Sequence, residues 1–66
     1  MTVYEVCILG EGRRTLAIVK TAHVNDFAAV RSARTLAGGH CVEVWRDLEC
    51  IYRDTMHGLE RRRHAT

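Results

Sequence analysis

Cysteine and histidine are the residues of this chain that bind metals most readily, and the chain has three cysteines and four histidines. A structural zinc site draws its ligands from short repeats such as C-x₂-C and H-x₃-H. Here no such repeat occurs, and His40 and Cys41 are adjacent, which in a strand places their side chains on opposite faces. We therefore expect no metal site, although Cys7 and Cys41 could form a weak two-thiol site on neighbouring strands.

Glu5 and Glu43 are the pair of carboxylates that could act together as an acid and a base, since both are predicted on the same sheet face. Ion pairing with Lys20 or Arg53 across the sheet is the alternative. No histidine is set beside a nucleophile by its spacing, and a chain this short closes no deep pocket around a substrate. The sequence predicts a non-enzymatic protein with no catalytic residues and no cofactor.

Four segments have the alternation or the β-branched composition of strands: residues 2–9, 14–21, 40–46 and 48–53. A Gly-Glu-Gly sequence at 10–12 predicts a hairpin turn between the first two. Between the second and third, apolar residues recur at helical spacing, which predicts a helix over 26–37. Asn25 is the expected N-cap of this helix, and Gly38-Gly39 ends it.

This order predicts an α+β domain of ββαββ type over residues 1–53, followed by a polar, Arg-rich flexible tail over 54–66. A right-handed crossover through the helix places the third strand beside the first. The result is a four-stranded antiparallel sheet in the order 2-1-3-4, with one helix packed on one face.

Alternation sorts the residues of each strand between the two faces of the sheet. Tyr4, Val6 and Ile8 are expected beneath the helix. For the last hairpin, the register expected to keep the core face free of charge pairs Val44 with Cys50 and Val42 with Tyr52. The second strand stays open, because either its Leu16 and Ile18 or its Ala17 and Val19 could face the helix.

The face of the sheet that the helix leaves uncovered is unusually apolar, and such patches mark association sites. We expect a homo-oligomer, most simply a dimer, that pairs through this face or through an edge strand, with a further protein partner open. The alternative without self-association is that Met56 and Leu59 of the tail cover the face. The candidate interface comprises Leu9, Cys41, Glu43, Trp45 and Ile51.

Charge gives the alternative hypothesis, which is nucleic-acid binding. Residues 1–59 carry seven basic and seven acidic side chains, so the formal charge of +2 comes from the end of the chain. A dedicated nucleic-acid domain shows a basic stripe on the fold itself, which makes this hypothesis the weaker one. Its candidate contacts are Arg31, Arg34, Arg61, Arg62 and Arg63.

The odd number of cysteines and the lack of a basic-then-apolar N-terminal pattern predict a cytoplasmic protein. No apolar run is long enough to predict a membrane span.

Two stretches carry a resemblance to known proteins: Tyr4-x-Val6-x-Ile8-Leu9, and the run from Ala29 through Ala33-Arg34-x-Leu36-Ala37-x-Gly39-His40 to Glu43-Val44-Trp45. Over about residues 2–53 the chain resembles a group of very short uncharacterised proteins of alphaproteobacteria, notably of rhizobial relatives. The departures are Gly10-Glu11-Gly12, where the group more often has an Asp, and Arg46-Asp47-Leu48, where it often has a Gly. The resemblance implies a bacterial, cytosolic source and no activity or ligand.

Overall fold

The first strand, which has the most apolar sequence, lies in the interior of the sheet. The computed structural model describes residues 1–54, which form four antiparallel strands in the order β2-β1-β3-β4 with one helix. The predicted ββαββ α+β fold and strand order are confirmed. The elements are β1 (Thr2–Leu9), a 3₁₀ turn (Glu11–Arg13), β2 (Thr15–His23), α1 (Asp26–Ala37), β3 (Cys41–Arg46) and β4 (Glu49–Arg53).

Both ends of α1 follow from the local sequence. The Asn25 side chain accepts a hydrogen bond of 2.8 Å from the Ala28 amide, which satisfies one of the free donors of the first turn. Gly38 has φ +58° and Gly39 has φ +98°, and glycine adopts these left-handed conformations without steric cost. The helix therefore begins and ends at the predicted residues.

The core lies between α1 and the two central strands. Its largest fully buried side chains are Tyr4, Val6, Val42 and Val44. The helix meets them with Ala29, Ala33 and Ala37, which are also buried. Because alanine has only a methyl group, this stripe brings the helix axis close to the sheet. The helix is consequently tightly seated over β1 and β3.

The register of β2 against β1 decides which of its side chains the helix can cover. Val19 lies opposite Val6 and Ala17 lies opposite Ile8, so these two share the helix side of the sheet. Ile18 points to the uncovered face, on which it lies opposite Cys7. Leu16 falls at an irregularity in the pairing, at Ile8/Leu9, where simple alternation ends. Of the alternatives that the sequence left open, the structure therefore has Ala17 and Val19 on the helix side.

The predicted register of the β3–β4 hairpin is wrong by two residues at Val44 and by one residue between Trp45 and the turn. Tyr52 lies opposite Val44, where Cys50 was expected, and Cys50 lies opposite Trp45 beyond an irregularity at Val44/Trp45. A bulge of this kind interrupts the simple alternation on which the prediction relied. At the end of β4, the Asp54 amide donates to the Val42 carbonyl at 3.1 Å, so pairing continues one residue past the predicted domain boundary.

The described residues bear on the predicted absence of a membrane span but hardly reach the predicted tail. In the described part of the chain, no helix has the length and apolar character needed to cross a membrane. The predicted tail, including Met56 and Leu59, lies outside the described residues apart from Asp54.

Candidate functional site

Glu43 is the centre of a polar cluster on the uncovered face of the sheet. Its carboxylate accepts hydrogen bonds from the Trp45 indole N–H at 3.1 Å and from Arg13 Nη2 at 2.6 Å. The Nε of Arg53 lies 3.1 Å from the same carboxylate, whose side chain is only 15% exposed. Three donors from three separate elements of the chain thus surround one nearly buried carboxylate.

The neighbours in this cluster shift the pKa values of two groups, Glu43 and Cys7. The hydrogen bond from Trp45, helped by Arg13 and Arg53, holds the pKa of Glu43 below its ordinary value. Burial raises the pKa of the Cys7 thiol, and the negative charges of Glu43 and Glu5 raise it further. Cys7 is therefore a poorly ionised thiol, which is the opposite of what a nucleophilic cysteine requires.

A second polar cluster joins the start of the helix to the β3–β4 hairpin. The buried Tyr4 hydroxyl donates to Asp26 at 2.7 Å, and Arg46 Nη1 donates to both oxygens of Asp26 at 2.7 and 2.8 Å. Arg46 also contacts Glu49 at 3.1 Å. The hydrogen bond from Tyr4 lowers the pKa of Asp26 and, reciprocally, raises that of Tyr4. We interpret this cluster as a structural clamp.

The structure brings together only part of the predicted interface. Trp45 lies on the uncovered face beside Glu43, as expected, and it is partly exposed. Leu9 and Cys41 lie opposite each other but are buried, so they offer little surface to a partner. Ile51 packs against the buried cluster beneath the helix, which corrects its expected place beside Trp45. The shifted register explains this difference, because it places Cys50 opposite Trp45.

The structure also shows where the two glutamates and the cysteines considered for catalysis and metal binding lie. Glu43 lies opposite Cys7 and pairs with Arg53, one of the two expected partners, whereas Glu5 lies opposite Trp45 on one side and Lys20 on the other. No disulfide bond joins the cysteines of the described residues. Within residues 1–54, no three His, Cys, Asp or Glu side chains are grouped so that they could hold a metal ion.

The most exposed apolar surface of the sheet lies on β2, one strand away from the predicted patch. Ile18 is 61% exposed and Leu16 is 51% exposed, and the backbone of β2 forms one edge of the sheet. Every residue from Thr15 to Ile18 is exposed, including Ala17, which points to the helix side. The predicted order already placed this strand at an edge, but the sequence left open which of its residues face the helix, which is why these residues were not singled out.

A further surface runs along the outer side of α1. Phe27, Val30, Arg31, Arg34 and Thr35 line an open groove of about 470 Å³. An adjoining hollow shares Arg31 and Thr35 with it and reaches Leu36. Arg31 and Arg34 therefore lie together, as the nucleic-acid hypothesis supposed. The exposed Phe27 beside them was missed, although its position off the alanine stripe of the helix was a usable signal. Arg61, Arg62 and Arg63 lie outside the described residues.

Comparison with known proteins adds no assignment to this geometry. No protein family, curated protein or solved structure was found to match the chain. The resemblance to short alphaproteobacterial proteins accordingly stays a prediction.

Proposed function

We propose that this protein is a small, non-enzymatic interaction module that associates with a second copy of itself through the β2 edge. The free edge of β2 carries this proposal. The strand is nine residues long, contains no proline and has Lys20 as its only side chain of fixed charge. Soluble proteins usually protect edge strands with short length, charge, proline or bulges, since open backbone groups recruit another strand.

The opposite edge of the sheet is protected more fully than β2, whose own irregularity, at Ile8/Leu9, leaves residues 17–23 regularly paired. Strand β4 is five residues long, begins at Glu49 and ends at Arg53. Its pairing with β3 is irregular at Val44/Trp45, which twists the strand locally. Of the two edges of the described sheet, β2 is therefore the better template for a partner strand.

The side chains of β2 favour a second copy as that partner. Antiparallel pairing of two identical strands about a two-fold axis satisfies both copies with the same contacts, which is the commonest form of self-association. Such pairing brings Ile18 of the two copies onto one continuous sheet face. There the exposed apolar side chains contact their neighbours across the new strand pair.

Size-exclusion chromatography with multi-angle light scattering tests the proposal on the full chain. The chain mass is 7.5 kDa, so a dimer has twice that mass, 15 kDa. We expect a dimer at concentrations on the order of 0.1 mM. A mass of 7.5 kDa throughout, up to about 1 mM, would refute self-association.

Two variants locate the interface in the same assay. Ile18→Lys alters the β2 surface, and Trp45→Ala alters the patch that the sequence predicted. We expect the first to yield monomer and the second to leave the dimer. If Trp45→Ala yields monomer and Ile18→Lys stays dimeric, the interface lies at Trp45 and not at β2. Nucleic-acid binding, a bacterial source and a cytoplasmic location stay predictions from the sequence.

A further inference from the structure

The groove on the outer side of α1 has an apolar floor and a cationic rim. Phe27, 73% exposed, and the half-buried Val30 supply the apolar part. Arg31 and Arg34 supply two guanidinium groups, and no acidic residue is among the groove's lining residues. This composition differs from the polar clusters on the sheet, where every arginine named is matched by a carboxylate.

The two arginines of this groove are free for a partner. In the described part of the chain, Arg13 and Arg53 pair with Glu43, and Arg46 pairs with Asp26 and Glu49. Neither Arg31 nor Arg34 forms an ion pair with any residue in that part. Because unpaired cations beside apolar surface are complemented by carboxylates beside apolar side chains, the groove favours an acidic, amphipathic ligand.

The length and spacing of the groove match a helix. From Phe27 to Leu36 the surface follows ten residues of α1, whose ends are roughly 14 Å apart at the helical rise. Phe27, Val30, Arg31 and Arg34 are spaced i, i+3, i+4 and i+7. This is the spacing by which one helix presents a continuous face to another.

We propose that this groove binds an acidic amphipathic helix of a partner protein. Its leucine-type side chains pack on Phe27 and Val30, and its carboxylates pair with Arg31 and Arg34. A single strand of nucleic acid is the competing ligand, with a base stacked on Phe27. The groove has only two cations, and the described charges of the domain balance, which gives little attraction for a phosphate backbone and favours the acidic helix.

The proposal is independent of self-association, because the groove lies on the helix and Ile18 lies on the opposite face of the sheet. The probe is a labelled synthetic peptide of about 18 residues, with leucines at helical spacing and glutamates elsewhere. A matched peptide has lysine in place of every glutamate. The third probe is single-stranded oligothymidine, and fluorescence anisotropy at low salt reports binding of each probe to the full chain.

We expect the glutamate peptide to bind and the lysine peptide not to bind. The double variant Arg31→Glu with Arg34→Glu should weaken binding by about tenfold or more, and Phe27→Ala by about fivefold. Arg14→Glu reverses the charge of an exposed arginine outside the helix, so it should change affinity by less than about twofold. Circular dichroism establishes that each variant is folded.

Three results would overturn the proposal. The first is a glutamate peptide that does not bind at about 1 mM. The second is an Arg14→Glu variant that weakens binding as much as the groove variants do. The third is oligothymidine that binds more tightly than the peptide and loses affinity in the groove variants, which would assign the groove to nucleic acid.

Discussion

The substitution Ile18→Lys places a charge at the most exposed apolar side chain of the β2 edge. Ile18 is 61% exposed in the single chain and lies on the uncovered face opposite Cys7. The helix does not reach it, so the substitution leaves the core of the domain untouched. Any large effect on assembly must therefore come from contacts made between copies.

The expected magnitude follows from the contact that the exposed part of Ile18 can make across the edge. Edge pairing leaves the face of the joined sheet open to water, so a second copy contacts Ile18 only from the side. A cross-strand contact of this kind contributes about 0.5–1 kcal/mol, and a symmetric dimer has two of them, giving about 1–2 kcal/mol. Because every 1.4 kcal/mol is a factor of ten, the dimer Kd should rise by roughly 5- to 30-fold. Repulsion between the new lysines adds to this.

Sedimentation equilibrium over a series of protein concentrations measures the Kd directly. Val24→Lys is the matched control, since Val24 is about as exposed as Ile18 but lies between β2 and α1. The control should change the Kd by less than about threefold, which is the scale of an ordinary surface substitution. An Ile18→Lys variant that dimerises as well as the control would refute the edge interface. If both variants weaken dimerisation equally, the effect is one of net charge.

The remaining predictions concern stability and thiol reactivity. The folded pKa values of Asp26 and Glu43 lie below the ordinary carboxyl pKa, which is about 4. At a pH above that ordinary value, both ionised carboxylates therefore stabilise the fold. This stabilisation is lost as the pH falls through the folded pKa values; urea unfolding at a series of pH values should show it, and Asp26→Asn should flatten the dependence. Val44→Ala removes two methyl groups from a fully buried site and should reduce the free energy of unfolding by about 2–3 kcal/mol, measured by urea denaturation. A loss under about 0.5 kcal/mol would contradict the assigned core. Cys7, whose pKa is raised, should react with iodoacetamide more slowly at neutral pH than a free cysteine, as peptide mass spectrometry can establish; equal rates would disprove its burial.

The candidate interface could be predicted only in part. Trp45 and Glu43 were expected to share the uncovered face, and the hydrogen bond between them confirms this. The expectation for Ile51 failed because one irregularity in the β3–β4 pairing moves every later residue relative to its neighbours. No local pattern marks such an irregularity, since it depends on how both strands pack against the rest of the sheet.

The amino-acid sequence by itself determined the elements of this protein and their order. Alternation of apolar residues, the Asn25 cap and the glycines at 38 and 39 act within a few residues of each other, so they can be read from the chain. Tertiary structure decided what surrounds Glu43 and which surfaces stay exposed. Arg13, Trp45 and Arg53 are separated along the chain, and only the pairing of strands brings them to one carboxylate. In the same way, the exposure of Ile18 depends on strand pairing, because its position opposite Cys7 in an edge strand places it on the face of the sheet that the helix does not cover.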